Sequence, residues 1–143
     1  KAEIHKRYLC EHRSPWYSQE VRAPAPLLCT YMGRQHSRNG KPFRFILNRS
    51  RATIANVYLA MYPKPYFASI LRDKPHLLEV VWKELNAIPL KTLLSNGRVY
   101  GGGLYKLEPN ELGNVSASNL VAVLPTSIQQ HLRVRTSQLK FDW

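Results

Sequence analysis

Acidic residues are scarce in this sequence, and they are unevenly distributed. Nine Asp and Glu stand against 21 Lys and Arg in 143 residues, which gives a formal net charge of +12 at pH 7. No acidic residue lies between Glu20 and Asp73, whereas nine basic residues do. A folded region without carboxylates keeps its positive potential, as a surface that binds a polyanion requires. The sequence therefore predicts a polyanionic partner, either nucleic acid or an anionic membrane surface.

The shortage of carboxylates also argues against catalysis. Nucleases and glycosidases use clustered carboxylates to hold metal ions or to act as acid and base, and here the carboxylates are dispersed. The glycine patterns of phosphate-binding loops and the G-x-S-x-G pattern of serine hydrolases are absent. A nuclease built on Glu79, Lys83 and Glu84 is a weak alternative, because these residues share one predicted helix with no partner Asp. We expect no catalytic residue in this chain.

Cysteine and long apolar runs are scarce as well. The two cysteines, Cys10 and Cys29, form no C-x-x-C pattern, and the five histidines show no metal-ligand spacing. We therefore expect two free thiols in a reducing cytoplasm and no metal site. No apolar run approaches the roughly 20 residues of a membrane span, so we expect no integral membrane protein.

The length and the 44% hydrophobic content suit one folded domain over residues 1–143. We predict an α+β fold: a small antiparallel sheet with a long basic hairpin, plus two or more short helices. Predicted helical segments are 75–86, 89–94 and a turn that begins at Pro109. Predicted strands are 27–32, 43–48, 52–61 (with a buried helix as the alternative), 121–124 and a possible short one at 133–135.

The predicted hairpin ends in a polar, basic tip at residues 34–41. Asn39-Gly40 is typical of a tight turn. Cations of this segment suit phosphates, and its amide and imidazole groups suit base edges in a major groove. The alternative is a polar loop with no partner. We predict phosphate contacts from Arg34, Arg38, Lys41 and Arg44, and base-reading contacts from Gln35, His36 and Asn39.

A run of three glycines, Gly101, Gly102 and Gly103, lies between two further cations, Arg98 and Lys106. Glycine lets the backbone approach a partner closely or adopt a positive φ. Phosphate suits such a place, because backbone N–H groups and cations both favour it. We predict phosphate contacts from Arg98 and Lys106 and close backbone approach at the glycines. The alternative is a crossover where glycine only avoids a clash.

An aromatic motif, Ser14-Pro-Trp-Tyr17, follows Arg13. Exposed aromatic rings beside a cation can stack on bases. A Trp-Tyr pair is more often part of a hydrophobic core, and we favour that interpretation here.

The order of these motifs resembles a known family, the C-terminal target-recognition (specificity) domain of Taq-type N6-adenine DNA methyltransferases of restriction–modification systems. The more specific elements are Phe45–Asn48, followed by Ala52 and Asn56, and above all the run G-G-G-L-Y-K-L-E-P-N-E-L at 101–112. The resemblance covers about residues 13–117 and leaves 118–143 unassigned.

The resemblance implies a role in reading duplex DNA. In this family an N-terminal domain binds S-adenosylmethionine and methylates adenine N6, with an F-x-G-x-G-like loop and an N-P-P-Y-like motif. The base is flipped out because N6 cannot reach an active site from within the stack. Neither motif occurs here, and Trp16 stands where the second proline of the latter would be.

We therefore expect this chain to be a piece of a larger, monomeric enzyme in the cytoplasm of a bacterium or archaeon. It would hold no cofactor itself, S-adenosylmethionine belonging to the N-terminal catalytic methyltransferase domain of the same polypeptide. Two other functions stay open. Basic charge with aromatic residues also fits an RNA-binding module, and the glycines and basic hairpin also fit a structural domain that packs against another domain.

Overall fold

The computed structural model describes residues 3–18, 22–35, 40–50 and 52–135. The fold is α+β, as predicted. Its strands are β1 (Leu27–Thr30), β2 (Met32–Arg34), β3 (Phe45–Leu47), β4 (Tyr58–Met61), β5 (Arg98–Tyr100) and β6 (Leu104–Lys106). They form two antiparallel three-stranded sheets, the first in the order β3-β1-β4 and the second in the order β2-β6-β5.

Short helices surround the sheets. They are α1 (Tyr8–Glu11), α2 (Pro65–Asp73), α3 (Leu77–Ala87), α4 (Leu90–Asn96), α5 (Pro109–Gly113), α6 (Ser118–Val123) and α7 (Thr126–Arg135), with 3-10 turns at Ile4–Lys6 and Gly101–Gly103. Among the described residues, no helix has both the length and the apolar content to cross a membrane.

The first sheet is built around β1, whose residues Leu27, Leu28 and Cys29 are all buried. Leu27 pairs with Leu47 of β3 on one side and with Met61 of β4 on the other. A strand with neighbours on both sides satisfies its backbone groups in the ladder, so its apolar side chains can fill the core. This explains why the run of apolar residues in the sequence became the central strand.

The predicted strands 27–32, 43–48 and 52–61 all contribute to this sheet, but each is shorter than predicted. The antiparallel pairing of the first two, expected for a hairpin, is confirmed. Their connection contains β2, which pairs with β6 in the second sheet, so it is more than a loop. Residues 52–57 are irregular, and no helix forms there.

The chain passes from the first sheet to the second at Tyr31, so the prediction of one strand over 27–32 is wrong at its C-terminal end. The Tyr31 N–H donates to the Val57 carbonyl at 3.3 Å, next to β4. The Tyr31 carbonyl accepts a hydrogen bond from the Leu107 N–H at 3.0 Å, just after β6. The N–H of Tyr31 is thus hydrogen-bonded beside the first sheet and its carbonyl beside the second sheet. This arrangement couples the two sheets.

Gly33 in β2 lies against the chain just before β3. A Cβ atom at Gly33 would lie 2.3 Å from the carbonyl oxygen of Pro42, 2.8 Å from its Cα and 2.9 Å from its carbonyl carbon. The obstacle is backbone, which cannot rotate away as a side chain can. Glycine is therefore required for β2 to pack at this distance.

Helix α3 confirms the helix predicted over 75–86, and it is attached to the edge of the first sheet. The Trp82 indole N–H donates to the Phe45 carbonyl at 2.9 Å. The Asn86 amide accepts from the Phe45 N–H at 3.2 Å and donates to the Phe45 carbonyl at 3.0 Å. These side chains occupy backbone groups that an edge strand leaves unpaired, while Val81 and Leu85 enter the core.

The helices predicted over 89–94 and from Pro109 are confirmed as α4 and α5. Helix α2 was not predicted, because two prolines so close together, Pro63 and Pro65, are typical of a break in regular structure. Pro65 instead occupies the first helical turn, where its missing N–H removes no hydrogen bond.

The strands predicted at 121–124 and 133–135 are wrong, since the chain there forms α6 and α7. Leu120, Leu124 and Ile128 are all buried and recur every four residues. Leu120 lies in α6, Leu124 is the extended residue that follows it and Ile128 lies in α7, so two short helices and the residue between them contribute to the core. The short apolar run at 121–124 fits a strand and a helix equally.

Both cysteines are free, as predicted, and Cys29 is fully buried in the hydrophobic core. Burial raises the pKa of the Cys29 thiol to about 12. Since thiolate is the reactive form, Cys29 is expected to resist thiol reagents near pH 8 in the folded chain.

We predict that a disulfide reagent such as DTNB modifies one thiol in the native chain, that of Cys10, and two after unfolding in denaturant. The control variant Cys10→Ser should show no reactive thiol until it is unfolded. Rapid modification of two thiols in the native chain would contradict the buried position of Cys29.

Candidate nucleic-acid interface

Pairing in the second sheet brings cations from three separate strands onto one face. Residues directly opposite one another in adjacent strands share a face, as do residues two apart along a strand. The register forms two rows across the sheet on the same side, Met32–Lys106–Arg98 and Arg34–Leu104–Tyr100. We call Arg34, Arg98, Tyr100 and Lys106 the basic face.

The basic face points away from the core. The opposite side of the sheet carries Gly33, Tyr105 and Val99. Tyr105 packs against the hydrophobic core, and the position of a Gly33 Cβ is blocked by Pro42. Arg34, Arg98 and Tyr100 are exposed to solvent, and Lys106 is half-buried. Three of the six predicted phosphate-contacting residues therefore lie together on one solvent-facing surface.

Gln35, a predicted base-reading residue, directly follows β2, and its hydrogen-bond partner Tyr105 lies on the side of the sheet opposite the basic face. The Gln35 Oε1 accepts a hydrogen bond from the Tyr105 hydroxyl at 3.4 Å. Because Tyr105 belongs to the middle strand, this contact fixes the Gln35 side chain relative to the sheet.

The three glycines form the turn between β5 and β6, at one end of the basic face. Gly102 and Gly103 have φ values of 72° and 68°, in the left-handed region that favours glycine. No atom lies within 4 Å of a Cβ built at Gly101, Gly102 or Gly103. Their role is therefore to form the turn, since there is no clash for glycine to avoid, and the turn leaves bare backbone open to solvent. The Arg34 Nε donates to the Gly102 carbonyl at 3.4 Å.

Arg98 and Lys106 have carboxylate partners that sequence analysis did not identify. Arg98 Nε lies 2.5 Å from Glu111 Oε1, and Lys106 Nζ lies 2.5 Å from Glu108 Oε1. The two carboxylates also form a capping box at the start of α5, where Glu111 accepts from the Glu108 N–H at 2.7 Å. The spacing E-P-N-E, followed by an apolar residue, is the sequence signal from which this box could have been predicted.

Lys106 is further positioned by the residue that links the two sheets. Its Nζ lies 4.9 Å above the centroid of the Tyr31 ring. The Tyr31 hydroxyl donates to Glu108 Oε1 at 3.4 Å. Hydrogen bonding to Glu108, and secondarily to Tyr31, raises the pKa of Lys106. The hydrogen bond from Lys106 lowers the pKa of the Glu108 carboxyl below its ordinary value.

These opposed shifts predict a pH dependence of stability. The lowered pKa of Glu108 stabilises the fold above about pH 4.5, and this stabilisation is lost as the pH falls through the folded value. The raised pKa of Lys106 stabilises the fold below about pH 10.5, and this stabilisation is lost only as the pH rises past that value. The pair therefore contributes to stability at neutral pH.

Urea unfolding of Glu108→Gln tests this dependence, because glutamine keeps the size and the acceptor oxygen. The variant is expected to be less stable than the unmodified chain at pH 7 and to approach it near pH 3. An equal difference at the two pH values would contradict a contribution from the charge of Glu108.

Lys41 and Arg44 are exposed and lie on the segment that packs beside β2. The Thr30 hydroxyl fixes this segment, since it accepts from the Arg44 N–H at 2.7 Å and donates to the Pro42 carbonyl at 3.2 Å. These two cations therefore border the place where the chain leaves the first sheet. The remaining predicted contacts, Arg38, His36 and Asn39, lie outside the described residues.

The favoured interpretation of the aromatic motif is wrong, because Trp16 and Tyr17 are both exposed and neither belongs to the core. In the part of the chain that the structure describes, no three His, Cys, Asp or Glu side chains come together as a metal site would require.

Comparisons with known proteins identify relatives of this chain. Residues 1–140 match the family model for the C-terminal domain of Type II methyltransferase M.Eco57I. The chain is 35% identical over 123 residues to Type II methyltransferase M.XamI of Xanthomonas campestris pv. amaranthicola, a match that covers 83% of this chain and 20% of that protein. It is 35% identical over 115 residues to Type II methyltransferase M.AccI of Acinetobacter calcoaceticus, covering 77% of this chain and 18% of that protein.

The chain thus spans about a fifth of the length of these curated relatives. The family match extends beyond the 13–117 region on which the sequence resemblance rested, and it includes most of the segment left unassigned there. No solved structure matches the chain significantly.

Proposed function

The chain belongs to the family of the C-terminal domain of Type II methyltransferase M.Eco57I, and from this premise we propose that it recognises a sequence in duplex DNA for a larger enzyme. That enzyme is an adenine-N6 methyltransferase of a restriction–modification system, acting in the cytoplasm. A separate domain of the same polypeptide binds S-adenosylmethionine and transfers the methyl group. The present chain grips and orients the DNA while the adenine is flipped out.

The observation that carries this proposal is the basic face. Arg34, Lys106 and Arg98 come from three adjacent strands and share one side of a sheet with an exposed Tyr100. Neighbouring strands are about 4.8 Å apart, so the cations span a surface on the scale of one phosphate backbone. Such clustering supports binding through phosphates, which supply most of non-specific DNA affinity.

The ion pairs with Glu108 and Glu111 are compatible with this role. An arginine has five N–H donors and a lysine has three. Arg98 uses Nε for Glu111 and also interacts with Tyr100, and its five donors leave others for a phosphate. The carboxylates therefore hold the two cations in place, and less side-chain entropy is lost when DNA binds.

The β5–β6 hairpin favours duplex DNA over RNA. The major groove of B-form DNA admits β-strand elements as well as helices, whereas the major groove of A-form RNA is too narrow and deep for side chains to read. The glycine turn at the end of this hairpin has no side chain to obstruct close approach to a backbone. Gln35, which directly follows β2 and is exposed at the edge of the sheet, is the described candidate for a base contact.

Fluorescence anisotropy with a labelled duplex of about three helical turns tests the proposal. Affinity should fall by about 0.9 log unit per log unit of salt for each neutralised phosphate, measured between about 50 and 200 mM salt. Absence of binding, or binding that ignores salt, would contradict the proposal. Stronger competition by single-stranded RNA than by duplex DNA would favour the RNA-binding alternative.

A further inference from the structure

The N-terminal part of the chain carries large apolar side chains in solvent. Ile4 is 49% exposed, Tyr8 72%, Trp16 48% and Tyr17 68%. All four lie in the described segment 3–18, and none of the residues there whose side chains the structure describes belongs to the hydrophobic core. Scattered single apolar residues are ordinary on a protein surface, whereas a concentration of large ones marks an interaction site, and these four are concentrated in one short segment of the sequence.

Local contacts hold these side chains outward. The His12 ring lies 4.2 Å from the Tyr8 ring, and its Nδ1 lies 2.8 Å from the Tyr8 carbonyl oxygen. The Trp16 and Tyr17 rings meet edge to face at 5.6 Å. The Arg13 guanidinium donates to the Ser18 carbonyl at 3.0 Å and so closes the turn that carries the two rings. The segment is therefore an ordered surface whose apolar groups have no partner in the core.

The charge of this segment argues against DNA as its partner. Residues 1–20 contain four basic and three acidic residues, whereas residues 21–72 contain nine basic and none acidic. The second composition favours phosphate binding more strongly than the first. Exposed Trp and Tyr side chains in a segment of low net charge are instead typical of the centre of a protein–protein interface.

The relatives indicate which protein surface lies nearby. This chain corresponds to about a fifth of M.XamI and of M.AccI, and its family is that of a C-terminal domain. In such a protein the larger part of the polypeptide precedes the segment that corresponds to residues 3–18. That segment therefore connects the preceding polypeptide to the core of this domain.

We propose that Ile4, Tyr8, Trp16 and Tyr17 form the docking surface for the preceding catalytic part of the same methyltransferase polypeptide. The inference rests on the proposed function, which supplies that part. Aromatic side chains offer about 150–250 Å² each, so the exposed fractions of the three rings amount to roughly 400 Å². An interdomain interface buries about 600–1,500 Å² in total, or half of that on each side. The three rings can thus supply the apolar centre of such an interface.

Docking here fixes the catalytic part relative to the basic face. A domain joined only by a flexible chain would leave a flipped adenine without a defined path to the active site. An apolar contact at the join holds the two parts in one orientation.

The test uses the intact methyltransferase polypeptide that carries this chain, with Tyr8→Ser, Trp16→Ser and Tyr17→Ser combined. In the unmodified protein the two parts should unfold in one calorimetric transition. In the variant the C-terminal domain should unfold separately, and trypsin should cut within residues 1–22 at least tenfold faster. Trp16→Ser alone should shift both measurements in the same direction but less.

The matched control is Val57→Ser combined with Val123→Ser. These are two exposed apolar residues elsewhere in the chain, and their substitution should leave both measurements unchanged.

A second measurement separates docking from other roles. The 143-residue chain with the three substitutions should keep the stability and the duplex-DNA affinity of the unmodified chain. Loss of DNA affinity in this shorter chain would assign the rings to DNA and overturn the proposal, as would an intact variant with unchanged unfolding and proteolysis. If the unmodified chain binds no DNA but the intact variant still releases the domain, the proposed function fails and the docking surface stands.

Discussion

The double variant Arg34→Glu, Arg44→Glu is expected to bind duplex DNA about 100-fold more weakly than the unmodified chain. Both side chains are exposed, so their substitution disturbs no core contact. A hydrogen bond to a charged group contributes about 1.5–3 kcal/mol, and 1.4 kcal/mol is tenfold in affinity. The salt dependence should also become shallower by about 0.9 for each phosphate contact that is lost.

The matched control is Arg72→Glu, Lys74→Glu, which changes the net charge equally. Arg72 lies in the last turn of α2 and Lys74 directly follows that helix, outside the second sheet. Long-range electrostatics alone should make this variant only a few-fold weaker. Equal losses in the two double variants would mean that total charge, and not the surface around the second sheet, determines binding.

Gly33→Ala is expected to lower the free energy of unfolding by about 1–3 kcal/mol, the usual cost of overpacking. Its Cβ would lie 2.3 Å from the Pro42 carbonyl oxygen, so either β2 or the segment before β3 has to move. Since such a domain is stable by about 5–15 kcal/mol, the loss is large but leaves a folded chain to measure. Chemical denaturation followed by tryptophan fluorescence gives the difference directly.

Gly101→Ala is the control for this substitution. Nothing lies within 4 Å of a Cβ there, and Gly101 does not have a positive φ. It should change stability by less than about 0.5 kcal/mol, as surface substitutions usually do. A Gly33→Ala variant as stable as Gly101→Ala would show that β2 does not pack on the Pro42 backbone.

Much of the fold could be predicted where a single pattern determined the structure. The apolar run that became β1, the helical spacing of α3 and the proline at the start of α5 each have one clear physical interpretation. The break at Tyr31 could not be predicted, because nothing in Leu-Cys-Thr-Tyr-Met signals a change of sheet. Only the distant partners, Val57 on one side and Leu107 on the other, determine it.

In the last quarter of the chain, the segments predicted as strands are helices. Those strands were predicted from runs of three or four apolar residues, which fit strand and helix equally. The buried residues Leu120, Leu124 and Ile128 come from two short helices and the residue between them, a division that the apolar runs do not reveal. In the same way, α2 was missed because a proline that starts a helix resembles a proline that ends one.

The sequence predicted which residues are candidates for the site, but not that several of them share one surface. Sequence identified Arg34, Arg98 and Lys106 from their neighbours in the chain. It could not show that three strands place them on one face, since β2 is separated from β5 by more than 60 residues. Nor did it show that Glu108 and Glu111, which cap α5, also hold two of these cations.

Amide hydrogen exchange with and without a DNA duplex tests the central claim most directly, because it locates the surface that DNA covers. The account predicts slower exchange within residues 32–35 and 98–106, which carry the basic face and the glycine turn, and little change in α2 and α3. Protection confined to those two helices, or no protection at DNA concentrations that saturate binding, would contradict it.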